Sequence, residues 1–295
     1  MKNNSNRSYA NRVVIGDCLD ELPKLPEACS QLIIVDPPYN LDKDFGFWKE
    51  AERRKTWLPW CKNWLAECDR VLAPKGNIFV YGIHHHICWI QCAMYDLGLK
   101  YRRQIIWNYE NGFAGYNTRS LAAYYEPILW FSKGDGYTYH TIREPYKSIE
   151  RLKYKITKNG KTWTPNPQGR LVGDIWKFPT LAGRRFRDEK VDHPTQKPLS
   201  LTLRIVEHFS NPGDLVVVPF AGSGTECLAA IMLDRDFWGV ELNPKYVQIA
   251  QSRLDTWYRS AEQPQINLYY TAEKYSSNPA GTRKVPCPET KQATS

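Results

Sequence analysis

The chain has 295 residues, 42% of them hydrophobic, and 40 Lys and Arg against 31 Asp and Glu give a net charge of +9. A large core and a basic surface suited to a polyanion follow. Eight cysteines without a CxxC pair exclude a disulfide scaffold, and no run approaches the ~18 apolar residues of a membrane span, so a soluble protein with reduced thiols is expected in the cytoplasm.

In chain order, VVIGD, QLIIVDPP, NIFVYG, QIIWNY and EPILWFS predict strands, with helices over Trp57 to Leu72 and His86 to Leu97. After residue 192 the style repeats. LTLRIVEHFS predicts a helix, LVVVPF a strand, TECLAAIMLD a helix, FWGVEL a strand and KYVQIAQSRL a helix. Such alternation implies an α/β fold wound on a mostly parallel sheet.

Periodicity fails from about Gly134 to Asp192, where Lys, Arg, Pro, Gly and aromatic residues concentrate; an insertion with its own task is expected. Past Arg259 the sequence turns polar and turn-rich, and a disordered or loosely docked tail is expected. The expected division is 1–134 and 193–258 as two halves of one domain, 135–192 as the insertion and 259–295 as the tail.

Two prolines and an acid close the QLII run in VDPPYN, which no ladder strand requires. At a strand's carboxyl end the Asp36 carboxylate and the Pro37 carbonyl, stiffened by Pro38, form two acceptors aimed at one point. Two such acceptors suit the exocyclic amino group of adenine or cytosine, a poor nucleophile because its lone pair is delocalised. Tyr39 is then a stacking partner for a base turned out of the duplex.

In LVVVPFAGSGTECLAA, Gly222, Ser223 and Gly224 lie between a strand and a helix start, where backbone amides approach a ligand. Cys227 stands where the third glycine of a dinucleotide loop would fall, which disfavours a nicotinamide cofactor. Glu241, at the end of the next strand, is placed to accept from ribose hydroxyls, with Asn243 beside it. An adenosine-like cofactor is implied.

With these residues in hand, the sequence resembles the β-class amino-group DNA methyltransferases, which use S-adenosyl-L-methionine. DPPYN matches their catalytic motif, HPTQKP (His193 to Pro198) the motif before the cofactor half, PFAGSGT the cofactor loop and GDCL the segment near the cofactor's adenine. The resemblance spans most of residues 12–258 in the order of that class. It implies a Rossmann-like sheet of about seven strands with circularly permuted motifs and an inserted recognition region.

Carried over, the resemblance assigns Asp36, Pro37, Pro38 and Tyr39 to the target base. Around the cofactor it sets Asp17, Asp36, His193, Thr195, Lys197, Phe220, Gly222, Ser223, Gly224, Thr225, Glu241 and Asn243. Lys197 is expected to hold the cofactor's carboxylate. Val218 departs from the family, which carries Asp there.

The implied activity is N6-adenine methylation of a specific site in duplex DNA, with N4-cytosine methylation, or a DNA-binding relative without activity, as alternatives. A homodimer, a companion restriction endonuclease and a bacterial or phage origin are analogies. Phosphate contacts are expected from Lys147, Arg151, Lys153, Lys155, Lys158 and Lys161, interleaved with Tyr146, Tyr154 and Trp163, and from Arg184 and Arg185. HHHICWIQC, His84 to Cys92, lacks metal-ligand spacing, so no metal is expected. NYENGFAGYNTRS, Asn108 to Ser120, is read either as a loop closing over the base or as a surface turn.

Overall fold

In a computed structural model the structure describes residues 7–39, 54–109, 119 and 121–262. Twelve strands are described: β1 (Arg12–Ile15), β2 (Ser30–Val35), β3 (Leu72–Tyr81), β4 (Lys100–Asn108), β5 (Tyr125–Ser132), β6 (Arg143–Glu144), β7 (Ile156–Lys158), β8 (Lys161–Trp163), β9 (Arg170–Leu171), β10 (Ile175–Lys177), β11 (Leu215–Val218) and β12 (Asp236–Glu241). The α-helices are α1 (Cys18–Glu21), α2 (Arg54–Val71), α3 (Ile87–Asp96), α4 (Leu199–Phe209), α5 (Thr225–Met232) and α6 (Pro244–Glu262).

Eight strands form one sheet in the order β1-β12-β11-β2-β3-β5-β4-β10. Pairing is parallel from β1 through β3, antiparallel on both sides of β5, and parallel again between β4 and β10. Reversal of β5 puts its first residues beside the last residues of β3, with Tyr81 opposite Ile128. Glu126 thereby reaches the edge at which the parallel strands end.

Period-2 alternation divides the core between two faces. Leu32 and Ile34 of β2 and Phe79 and Tyr81 of β3 join Ile205 and Phe209 of α4, Leu228 of α5 and Ala250 of α6. Their neighbours Ile33, Val35, Ile78 and Val80 pack on the other face with Trp64 and Leu65 of α2 and Met94 of α3. Helices cover both faces, and this explains why the inner strands read as unbroken apolar runs.

The sheet holds one strand more than the approximate seven expected. The added edge strand, β10, comes from 175–177 and pairs with β4 through Ile175 opposite Ile106 and Trp176 opposite Trp107. Other strands between 143 and 171 form two small antiparallel pairs, β6 with β9 and β7 with β8. Helix α6 continues to Glu262; the remainder of the expected tail, and most of the 108–120 segment, lie outside the described residues. Among the described residues no helix is long and apolar enough to cross a membrane.

Candidate active site

Although distant in sequence, β2 and β11 are neighbours at the centre of the sheet, paired through Leu32 and Val216. The segments leaving their carboxyl ends, DPPY and PFAGSGT, therefore face each other across one crevice, where open α/β sheets bind ligands. A cleft of about 1150 Å³, counting its open mouth, follows this edge. It is lined by Asp17, Asp36, Pro37, Pro38, Tyr39, His193, Thr195, Lys197, Phe220, Gly222, Ser223, Glu241 and Asn243. Gly224 and Thr225, which belong to the same predicted set, do not line it.

The backbone of the DPPY turn is held from two sides. Trp57 Nε1 donates to the Pro38 carbonyl at 3.2 Å, and His86 Nδ1 lies 2.9 Å from the Tyr39 carbonyl. The His86 ring sits between Trp57, at 4.9 Å, and Trp89, at 5.1 Å. His86 thus has a packing role, while His84 and His85 are exposed; among the described residues no group of metal-ligand side chains is gathered.

Tyr39 donates its hydroxyl to Asp36 Oδ1 at 2.6 Å and lies 3.2 Å from Glu126 Oε2. Lys197 Nζ completes the cluster at 2.9 Å from Asp36 Oδ1, 3.4 Å from Glu126 Oε2 and 3.1 Å from the Tyr39 hydroxyl. The lysine is only 4% exposed. Its ammonium also lies over the Tyr39, Tyr81 and Trp107 rings at 5.2, 5.1 and 5.9 Å. Burial opposes its charge, but the Asp36 and Glu126 carboxylates outweigh burial and raise its pKa.

Burial, then the Asp36 charge, push the Tyr39 phenol well above its ordinary pKa, so it remains a donor. Both contacts to Asp36 fall on Oδ1; among the described residues, none is made to Oδ2. One oxygen of Asp36 is thus anchored.

Two of the expected ligand contacts, Lys197 and Tyr39, also have partners within the protein. The ammonium of Lys197 lies on Asp36 and Glu126, which already supply its counter-charge where a cofactor carboxylate was expected. The Tyr39 hydroxyl braces Asp36, and the residue is 8% exposed in this conformation.

The glycine loop has left-handed φ of 49° at Gly222 and 73° at Gly224. Space is short as well: a Cβ on Gly224 would meet Ala250 Cβ at 2.7 Å, and one on Gly222 would meet His193 Nε2 at 2.9 Å and displace the ring. Arg253, which carries no sequence signal, fixes the loop from α6. Its Nη1 donates to Ser223 O at 2.6 Å and Thr225 Oγ1 at 2.9 Å. Thr225 is 1% exposed and is thereby part of the scaffold.

Glu241 accepts from Gly222 N and Asn243 N, each at 2.9 Å, so the expected ribose acid also ties loop to strand end. Asp17 caps α1 through Leu19 N at 2.9 Å. His193 packs on Tyr246 at 4.4 Å. Desolvation lowers its pKa to about 4 and keeps the ring neutral near pH 7. Val218 is 1% exposed within the core, and no acid stands at that strand end.

Glu126 is the functional candidate that sequence reasoning missed. It stands near the start of β5 as the first letter of a strand-like EPILWFS, and its only signal is a charge at an apolar strand's start. The basic residues at 147–161 lie mostly on exposed surface, apart from the cleft lining. Lys153 pairs with Glu150 at 2.7 Å. Arg184 and Arg185 are also exposed.

Residues 30–252 match the model of the N6 and N4 DNA methylase family. The chain belongs to that DNA methylase family. Across 252 residues it is 33% identical to the type II methyltransferase M1.MboII of Moraxella bovis, covering 81% of this chain and 95% of that protein. Across 253 residues it is 34% identical to the DNA adenine methyltransferase YhdJ of Escherichia coli K12, covering 83% of each. Among solved structures, the M1.HpyAVI–SAM complex aligns with a TM-score of 0.55 at 25% identity, over 82% of this chain and 98% of that one. The TTHA0409 methylase of Thermus thermophilus, complexed with S-adenosyl-L-methionine, gives 0.57 at 26% identity over 86% and 95%.

Proposed function

We propose that this DNA methylase transfers a methyl group from S-adenosyl-L-methionine to the N6 amino group of adenine at a specific site in duplex DNA. The observation that carries the reading is Asp36 at the end of β2, in the same cleft as the FAGSGT loop and Glu241. The relative at 34% identity, named a DNA adenine methyltransferase, supports adenine over cytosine.

The residues present suit the cofactor. A glycine loop with left-handed φ at Gly222 and Gly224, an acid at the β12 end and a buried carboxylate oxygen of Glu226 without a partner among the described residues provide a close backbone, a hydroxyl acceptor and an acceptor for a cation. Asp17, Glu241 and Asn243 form the nucleoside end, and Phe220 to Ser223 with His193 and Thr195 form the middle. S-adenosyl-L-methionine supplies an electrophilic methyl group there.

Asp36 Oδ2 and the Pro37 carbonyl would accept from the two N–H bonds of the adenine amino group and stabilise the positive charge that develops on nitrogen as the N–C bond forms, the S–C bond breaks and S-adenosylhomocysteine leaves; one amino proton is then lost to solvent. Lys197 and Tyr39 lock Asp36 through its other oxygen, so no reorientation is needed during the reaction. The adenine reaches the cleft by rotating out of the duplex. The basic surface between 147 and 161, with Arg184 and Arg185, tracks the phosphates. By analogy the chain works as a homodimer in a bacterial cytoplasm, encoded by the host or a phage, with a restriction endonuclease as companion.

Nucleoside analysis of duplex DNA treated with the protein and the cofactor tests the reading. N6-methyladenine is expected; N4-methylcytosine, or no modified nucleoside, overturns it.

A further inference from the structure

Glu226 is the second residue of α5 and lines the cleft while being only 4% exposed. Among the described residues none donates a hydrogen bond to its Oε1. Buried acceptors are rarely left without donors, so an empty one in a ligand cleft marks a place for a ligand group. Resting on the methyltransferase reading, we propose that Glu226 accepts the α-ammonium of the cofactor's methionyl end.

The cofactor carries two cationic centres, and hydrogen bonding decides between them. A sulfonium has no N–H to offer, whereas an ammonium has three. Charge balance points the same way. Asp36, Glu126 and Glu226 contribute three carboxylates, against Lys197 and Arg253. Lys197 is already committed to Asp36 and Glu126, and Arg253 holds Ser223 and Thr225. His193 is neutral near pH 7. Once Glu226 is ionised, one negative charge is left among these five groups for an incoming cation.

The groups facing Glu226 are Asp36 beyond β2, Tyr81 on β3, Lys197 ahead of α4, its neighbour Cys227, and Arg253 on α6. Burial, then the Asp36 charge, push its carboxyl up to about 7, while Lys197 and Arg253 act against the rise. An ammonium in contact lowers it again. Binding near pH 7 therefore ionises Glu226 and releases a proton to solvent.

Calorimetric titration of the full chain with S-adenosylhomocysteine and its deamino analogue, in two buffers of different ionisation enthalpy at pH 7, tests the assignment. For the unaltered chain, the deamino ligand should bind at least ~10-fold more weakly, and only the parent ligand should release a proton. Glu226→Gln should weaken the parent ligand by a similar factor, erase the discrimination and abolish the proton release. Equal binding of both ligands by the unaltered chain overturns the proposal, as does a folded Glu226→Gln that still discriminates. Should that variant fail to fold, the two-ligand comparison on the unaltered chain decides alone. If the unaltered chain binds neither ligand, the methyltransferase reading falls too.

Discussion

Lys197 Nζ lies 2.9 Å from Asp36 Oδ1, so a residue just ahead of α4 is the buried counter-charge of the acid that closes β2. The same ammonium reaches Glu126 at 3.4 Å, and one cation thus serves two carboxylates that the sheet brings together. Tyr39 bridges both acids, and the cluster fixes the side chain on which the proposed chemistry depends.

Removing the catalytic acid separates binding from chemistry. Asp36→Ala should keep most of its cofactor affinity, because the loop and Glu241 are untouched and Glu226 ionises more readily without the Asp36 charge beside it. Turnover should fall by about 10²–10³, the usual cost of one preorganised partner. Single-turnover methylation beside calorimetric binding makes the comparison, and undiminished turnover would refute the role of Asp36.

Removing the counter-charge acts on the fold. Lys197→Met leaves Asp36 and Glu126 close together without their cation, and an uncompensated buried charge costs about 3–5 kcal/mol. The midpoint of chemical denaturation should drop accordingly. A midpoint within experimental error of the unaltered chain would mean that the cluster is not a stabilising ion pair.

Glu126→Gln keeps the size of the side chain and a hydrogen-bond acceptor but deletes one charge from Lys197. The fold should survive, with turnover reduced by about tenfold as Tyr39 and Lys197 lose the restraint that aligns Asp36. Affinity for the cofactor should be unchanged. A loss in affinity with turnover intact would place Glu126 at the cofactor instead.

How much was legible follows from how local each signal is. Leu32 to Val35 and Leu215 to Val218 announce buried parallel strands by composition alone, because both faces are covered. DPPY and FAGSGT are short segments whose residues act next to one another, so their motifs survive in one dimension. Glu126, Arg253 and Trp57 act across long separations, through a strand reversal, a helix approach and a side-chain bond to Pro38. No periodicity encodes those meetings. The same holds for β10, three residues whose strand identity comes from the open edge of β4.

Neutral His193 makes stability depend on acid. Desolvation holds its folded pKa at about 4, below the ~6.5 of the unfolded chain. The unfolded state therefore binds more protons between those values, and stability falls as pH drops through that window. The loss attributable to this residue is on the order of 2–3 kcal/mol. Denaturation curves from pH 7 to 4 should slope less for His193→Gln than for the unaltered chain; equal slopes would show that the imidazole titrates freely.

Lys158 and Lys161 flank the turn of the exposed β7–β8 hairpin, opposite one another in register. A pair so placed can reach phosphates of one groove edge, and each contact adds about 0.9 to the slope of log affinity against log salt. Lys158→Ala with Lys161→Ala should weaken binding to any duplex about equally and lower that slope by nearly two. Neither side chain lines the cofactor cleft, so cofactor affinity should stay constant. An unchanged slope in the double variant would remove the hairpin from the DNA-binding surface and leave Arg184 and Arg185 as the basic groups to test.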